Sequence, residues 1–277
     1  MTCLPAWHPK LRAVLARDVK VPSGCPVDGS GNIPCRPDTL RAKAEALLVG
    51  RGLWRGALSL DAYSLGRNIA TEVGAGTTPE EMVALAEASV NQAKRRGKSV
   101  SALILTASSG NAGWYGPIHG PSGVGSAPYG RWTASSKDPT LATLTVADFV
   151  LRGESGNFTH GADDQLGLEY FDDPVGLMQR HATNGQYWVG PLPGVDPWRI
   201  TLFRTMKSVK PTSLVGAPLL VRGVALARAG HQKPPPVDSL PVCASSGGFV
   251  AALAVGTAMV GGALWWRRRH GPLPLPR

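Results

Sequence analysis

Ala62-Tyr63-Ser64-Leu65-Gly66-Arg67-Asn68-Ile69-Ala70-Thr71-Glu72-Val73-Gly74 is the stretch on which the reading of this 277-residue chain turns. Leu65, Ile69 and Glu72 fall at i, i+4 and i+7 of one helical stripe, and Ala62 extends the stripe back by three residues. A carboxyl group on that stripe is expected to face protein rather than bulk water. Desolvation disfavours its charged form, so it can hold a proton near neutral pH and serve as a general acid. The competing reading is that register drift at the helix end delivers Glu72 to solvent.

The flanking segments read as helices as well. Thr39 to Val49 forms a short one, and Leu58 to Thr71 leads into Glu72. Thr78 is an N-cap candidate with Pro79 at the first helical position and Glu81 three residues after the cap, the capping-box arrangement. Met82, Ala86, Ser89, Val90 and Ala93 then make a small-residue inner stripe that Gly97 stops. Ser101 to Ala107 suits a short strand or a helical turn, and Gly110 to Gly130 is a Gly/Pro loop holding Trp114, Tyr115, His119 and Tyr129. Leu141 to Leu151 is a further helix, opened by Asp138-Pro139 and ended by Gly153. Beyond Asn157, turns alternate with short apolar pieces such as Gln186-Tyr187-Trp188-Val189-Gly190 and Trp198-Arg199-Ile200-Thr201-Leu202-Phe203. The fold class expected is mainly α, with minor β structure (α+β).

Composition narrows the functional classes. Gly 34 and Pro 24 exceed average usage while aromatic content is 6%, which favours a loop-rich body over a long-helix or fibrous one. The formal charge is +10, of which Arg267, Arg268, Arg269 and Arg277 supply four, leaving about +6 for the rest. Such a balance suits polyanionic partners, yet no zinc-finger or RNA-binding signature supports specific nucleic-acid recognition. Lys94-Arg95-Arg96-Gly97-Lys98 reads as a solvated helix terminus, where cations complement the helix dipole. Cys3, Cys25, Cys35 and Cys243 form no CxxC pair, so neither a structural zinc site nor a thioredoxin-like motif is indicated. Cys25 and Cys35 bracket a Gly/Pro/Asn-rich loop; a small disulfide and two free thiols both fit. His119, His160 and His181 with Asp163 and Asp164 lack helical metal-site spacing and read as unligated surface histidines; no metal or cofactor is expected. No G-x-S-x-G elbow supports a serine hydrolase.

The C-terminus carries its own signal. Ser246 to Trp266 has no charged side chain over 21 positions, enough for a helix to cross a hydrocarbon core of ~30 Å. Leu264-Trp265-Trp266 followed by Arg267-Arg268-Arg269 supplies an aromatic anchor and then a basic stop, so a single transmembrane helix is expected. Lys233 to Pro241 reads as a semi-rigid extended spacer before it. The Arg triplet places the C-terminus in the cytoplasm, whereas Met1 to Gly24 lacks the apolar core of a secretory signal, so the two indications of topology conflict.

Glu72, a short Gly/Thr/Pro connection and then Met82-Val83-Ala84-Leu85-Ala86-Glu87-Ala88-Ser89-Val90-Asn91-Gln92-Ala93-Lys94 resemble the cell-wall hydrolase family of spore-cortex-lytic type. In that family a catalytic Glu precedes, at a comparable distance, a helix of the form V-A-x-A-x-x-x-x-N-R-V; here Asn91 matches the Asn and Gln92 stands where Arg is usual. Arg131 to Pro139 and Asn157-Phe158-Thr159-His160 are similar to segments of phage-related lysozyme-like proteins, so the resemblance spans roughly 58 to 165. It implies a lysozyme-like α-rich fold and cleavage of the peptidoglycan glycan strand, with Glu72 as the acid. The organisation expected is an N-terminal segment (1–50), a lysozyme-like domain (51–165), a loop-rich extension of the body (166–232), a Pro-rich linker (233–245), the transmembrane helix (246–266) and a basic tail (267–277).

Cutting between N-acetylmuramic acid and N-acetylglucosamine requires a proton on the glycosidic oxygen. A hydrolase of the usual type adds a second carboxylate ~5 to 9.5 Å away. Asp61 is too far along the same helix, and Asp138, Glu154, Asp163 and Asp164 could approach only through folding. Lytic transglycosylases, which the chain also resembles, need one Glu because the muramic acid 6-hydroxyl attacks intramolecularly, and that route is favoured over hydrolysis. Tyr115, Tyr129, Trp132 and Asn91 are the candidates for shaping the sugar cleft. Two classes remain: a membrane-anchored murein-cleaving enzyme of a bacterial envelope or a virion-associated membrane, and a noncatalytic tethered scaffold for wall binding. The expected partners are glycan strands, the membrane through 246–266, and other virion or membrane proteins.

Overall fold

The computed structural model describes residues 7–16, 18–29, 31–74, 77–105, 132–133, 136–168 and 173–205. They form a mainly α protein with two small antiparallel sheets, divided into two compact units at Gly161 and Ala162.

The first unit holds helices α1 (His8–Leu15), α2 (Pro37–Gly50), α3 (Leu60–Glu72), α4 (Pro79–Arg96), α5 (Val100–Leu105) and α6 (Leu141–Leu151), with strands β1 (Asn32–Ile33) and β2 (Trp132–Thr133). Local signals explain most of the boundaries. The Ser59 hydroxyl caps α3 by accepting from the Ala62 N–H at 3.0 Å. The expected capping box opens α4: the Glu81 N–H donates to Thr78 Oγ1 while the Thr78 N–H donates to the Glu81 carboxylate. Gly97, at φ 62°, ends that helix in the left-handed conformation that glycine adopts without penalty. For α6 the cap is Thr140, in a second box with Thr143, and the Asp18 carboxylate accepts from the Ala142 N–H at 3.0 Å.

Helix α3 is the centre of the unit. It packs against α2, α4, α5 and α6, and every residue from Ala62 to Ala70 is buried. Leu65 and Ile69 are wholly enclosed, each worth ~1.5 to 3 kcal/mol on transfer from water. Close approach to α6 depends on Gly66, where a Cβ would stand 2.7 Å from Leu144 Cδ2 and 3.2 Å from Leu144 Cα. The segment 19–21 is laid along the start of α6 by the Leu141 N–H to Val19 carbonyl and Val21 N–H to Pro139 carbonyl bonds. Cys25 and Cys35 form a disulfide, so the first of the two readings for that pair holds.

Helix α1 was not anticipated from the sequence. Eight residues with a proline in the first turn carry little helical signal of their own. Tertiary contact supplies what propensity does not: Leu11 is buried, α1 rests on α4 and α6, and Trp7 meets Phe149 and Phe158 edge-on at 5.7 and 5.5 Å.

The second unit, over 162–168 and 173–205, contains β3 (Asp164–Leu166), α7 (Pro174–Thr183), β4 (Gln186–Trp188) and β5 (Thr201–Thr205). The central strand β5 lies between β3 and β4, antiparallel to both, with Phe203 opposite Asp164 and Trp188. Leu168, Leu177, Met178 and Phe203 form its core, against which Trp188 and Trp198 pack. His181 is buried and stacked on Phe203 at 4.3 Å, which corrects the expectation of a surface histidine. Its Nδ1 meets Gln186 Oε1 at 2.7 Å, and the Gln186 amide in turn donates to Asp164, so the ring is fixed by a chain of polar contacts.

Tyr115, Tyr129, the spacer 233–241 and the expected transmembrane segment 246–266 lie outside the described residues. Among the described residues no helix is long and apolar enough to cross a membrane.

Gly66→Ala sets a gain in helix propensity of about 1 kcal/mol against overpacking of about 1 to 3 kcal/mol. Because backbone as well as side chain of Leu144 is in the way, the variant is expected to unfold at lower urea concentration than the parent. An equal or higher midpoint would show that α3 and α6 can separate without loss.

Candidate functional site at the end of helix α3

The last turn of α3 is held by a strap, residues 136–138, that crosses it. Arg67 points from the helix into the strap and is 1% exposed. A cation buried to that degree must be paired and hydrogen-bonded, since transfer from water costs several kcal/mol otherwise. Its guanidinium donates to Ser136 Oγ from Nε at 3.1 Å and Nη2 at 2.9 Å, to the Ser136 carbonyl at 3.3 Å, and to Asp138 Oδ1 at 2.9 Å. Between these two residues Lys137 turns back to the helix. Its N–H donates to Thr71 Oγ1 at 3.0 Å and its ammonium to the Val73 carbonyl at 3.0 Å. Thr71 Oγ1 also donates to the Arg67 carbonyl at 2.8 Å.

Glu72 stands between the two tethered residues, Thr71 and Val73, as the last residue of α3. Its side chain is exposed, which corrects the expectation that it faces protein. Helical periodicity sets the direction of a side chain but does not extend the packing along the whole helix. Here burial stops at Ala70, and Val73 turns the chain away in an extended conformation, φ −79° and ψ 142°. What the arrangement offers instead is an accessible carboxyl group on the end of a rigid, buried helix, a placement that holds a reactive group in position.

Other sequence candidates fall as follows. Asn91 is half-buried on α4. Ser89, in the same helical turn, meets Asn68 at 3.5 Å, so this part of α4 crosses α3 one turn before Glu72. Trp132 lies in β2, paired with Ile33 of β1, four residues before the strap. Of the candidate second carboxylates, folding brings Asp138 to the strap, where it pairs with Arg67, while Glu154 pairs with Arg152. Asp163 and Asp164 belong to the second unit. Asp61 accepts from the Ser101 N–H at 2.8 Å and anchors the start of α5.

The property expected of Glu72 is found eight residues later. Glu80, at the start of α4, is 3% exposed, and burial pushes its carboxyl pKa up to about 7. Nε2 of His8 stands 2.5 Å from its Oε1, off the line of a straight hydrogen bond. His8 is buried too, and its pKa is lowered, first by desolvation and then by the Arg12 charge. Neither residue was singled out from the sequence, because nothing near Glu80 signals a partner on a helix so distant in the chain. Being enclosed, the pair is placed to stabilise the α1–α4 contact rather than to reach a substrate. Two further buried carboxyls on α4 hold backbone: Glu81 caps its own helix, and Glu87 accepts from the N–H groups of Phe158 and Thr159 at 3.0 and 2.7 Å and from the Thr159 hydroxyl at 2.8 Å.

The signs of the two shifts give a pH window. Glu80 binds its proton more tightly folded than unfolded, so its contribution to stability is complete below the unfolded carboxylate range and is lost as pH rises through about 7. His8, shifted the other way, contributes stability that is lost as pH falls below the ordinary histidine range. Unfolding free energy is expected to fall between pH 5 and 8 from the Glu80 contribution, and Glu80→Gln to flatten that slope in urea titrations across the range. An unchanged slope in the variant would remove Glu80 from the account. No family model, curated protein or solved structure matches the chain.

Proposed function

We propose that the protein is a membrane-anchored enzyme that cleaves the glycan strands of peptidoglycan, with Glu72 as general acid and base on a lysozyme-like α-rich domain. The observation that supports this best is the exposed carboxyl of Glu72 at the clamped end of a helix buried from Ala62 to Ala70. Sequence resemblance supplies the reaction class, and the accessibility of Glu72 is what such chemistry needs. In the one-carboxyl route Glu72 gives its proton to the glycosidic oxygen as the C1–O bond breaks. The muramic acid 6-hydroxyl then attacks C1 and returns its proton to the Glu72 carboxylate, leaving an anhydromuramic end. That route is favoured over hydrolysis because Asp138, the carboxylate brought to the strap, is engaged by Arg67. The solvent exposure of Glu72 favours a second reading, a noncatalytic wall-binding protein on the same fold.

General acid catalysis contributes ~10²- to 10⁴-fold, so Glu72→Gln is expected to reduce clearing of peptidoglycan in a zymogram by at least about 100-fold. Equal clearing by parent and variant would exclude Glu72, and absence of clearing by the parent would favour the binding reading. Products with anhydromuramic rather than reducing ends would identify the transglycosylase route.

The anchor has its own test. Deletion of 246–277 is expected to move the protein from the membrane pellet to the supernatant. A truncated chain that still sediments with membranes would overturn the single-helix anchor.

A further inference from the structure

We propose that Lys137 is a positioning residue for Glu72, tethering both residues that flank it and holding a positive charge at the end of α3. The inference rests on the assignment of Glu72 made above. Three observations carry it. The Lys137 backbone N–H reaches the Thr71 hydroxyl and its ammonium reaches the Val73 carbonyl, so a single residue grips the chain immediately before and immediately after Glu72. Lys137 is itself held from both sides, because its neighbours Ser136 and Asp138 bind the buried Arg67 guanidinium. An ammonium bonded to a terminal carbonyl also sits where the helix dipole is negative, the end at which a cation is favoured and a carboxylate disfavoured.

The geometry suits a group that must give up a proton and take one back. A carboxylate formed at a helix C-terminus during glycosidic cleavage would meet the partial negative charge of the terminal carbonyls. The Lys137 ammonium on the Val73 carbonyl offsets that charge, while Arg67 and Asp138, the other charged residues joined in the strap, are paired with each other. Because the ammonium is exposed and its bond competes with water, a moderate effect is expected rather than loss of the reaction.

The experiment uses the full chain and a soluble peptidoglycan glycan fragment, comparing the parent with Lys137→Met, Lys137→Arg and Glu72→Gln. Lys137→Met is expected to lower kcat about 3- to 10-fold with KM within about twofold, and to shift the alkaline limb of the kcat profile to higher pH. Lys137→Arg, which keeps the charge and a donor, should recover most of the rate and the parental pH limb. Thr71→Val removes the other tether and should lower kcat without moving that limb. If Glu72→Gln is inactive while Lys137→Met keeps the parental kcat and pH profile, the positioning role is overturned and the Glu72 assignment stands. If Lys137→Arg is as slow as Lys137→Met, the charge has no part and the proposal fails as stated. Full activity in Glu72→Gln overturns the assignment itself, whatever Lys137 does.

Discussion

The buried guanidinium of Arg67 is the constraint around which the first unit is arranged. A helix enclosed on all sides would ordinarily be apolar on all sides. Helix α3 instead carries a cation in its middle, and such a charge is tolerated only where polar partners surround it. Those partners come from a strap roughly seventy residues further on, with Ser136 and Asp138 taking the guanidinium between them. Satisfying Arg67 therefore fixes where the strap crosses, and the strap in turn fixes the end of the helix through Lys137 and Thr71. The position of Glu72 follows from the burial of a residue more than one turn away.

Polar groups elsewhere in the unit answer the same requirement with different partners. Glu87 is buried and receives two backbone N–H groups and a hydroxyl, which pins the turn at Phe158 and Thr159 onto α4. Glu45 accepts from the Leu58 N–H while Arg41 donates to both Glu45 and the Leu58 carbonyl, closing the loop that leads into α3. Glu80 is governed by burial instead, which pushes its carboxyl pKa up to about 7. Enclosure and accessibility are thus divided between two residues: Glu80 has the perturbed proton and Glu72 the open position.

How much of this was legible in the sequence depended on range. The start of α4 could be read from Thr78, Pro79 and Glu81, because a capping box is closed within four residues. The body of α6 and its end at Gly153 were legible for the same reason, although its cap proved to be Thr140 rather than Asp138. Helix α1 was not legible, since what holds it is packing on α4 and α6 and, through Trp7 at its cap, on Phe149 and Phe158, all far along the chain. The stripe through Leu65, Ile69 and Glu72 was correct for its first two members and failed for the third. Periodicity states which way a side chain points, not whether another element lies there to cover it.

The sequence by itself determined the capped start of α4 and its stop at Gly97, the body of α6, and that Glu72 lies near the end of a helix. These properties depend on backbone hydrogen bonds and side chains only a few residues apart. Only the tertiary structure decided which carboxyls are buried, that Arg67 is paired with Asp138, and that Lys137 sits at the end of α3. Those outcomes come from segments about seventy residues apart meeting in space, and desolvation and ion pairing act through that proximity rather than through spacing along the chain.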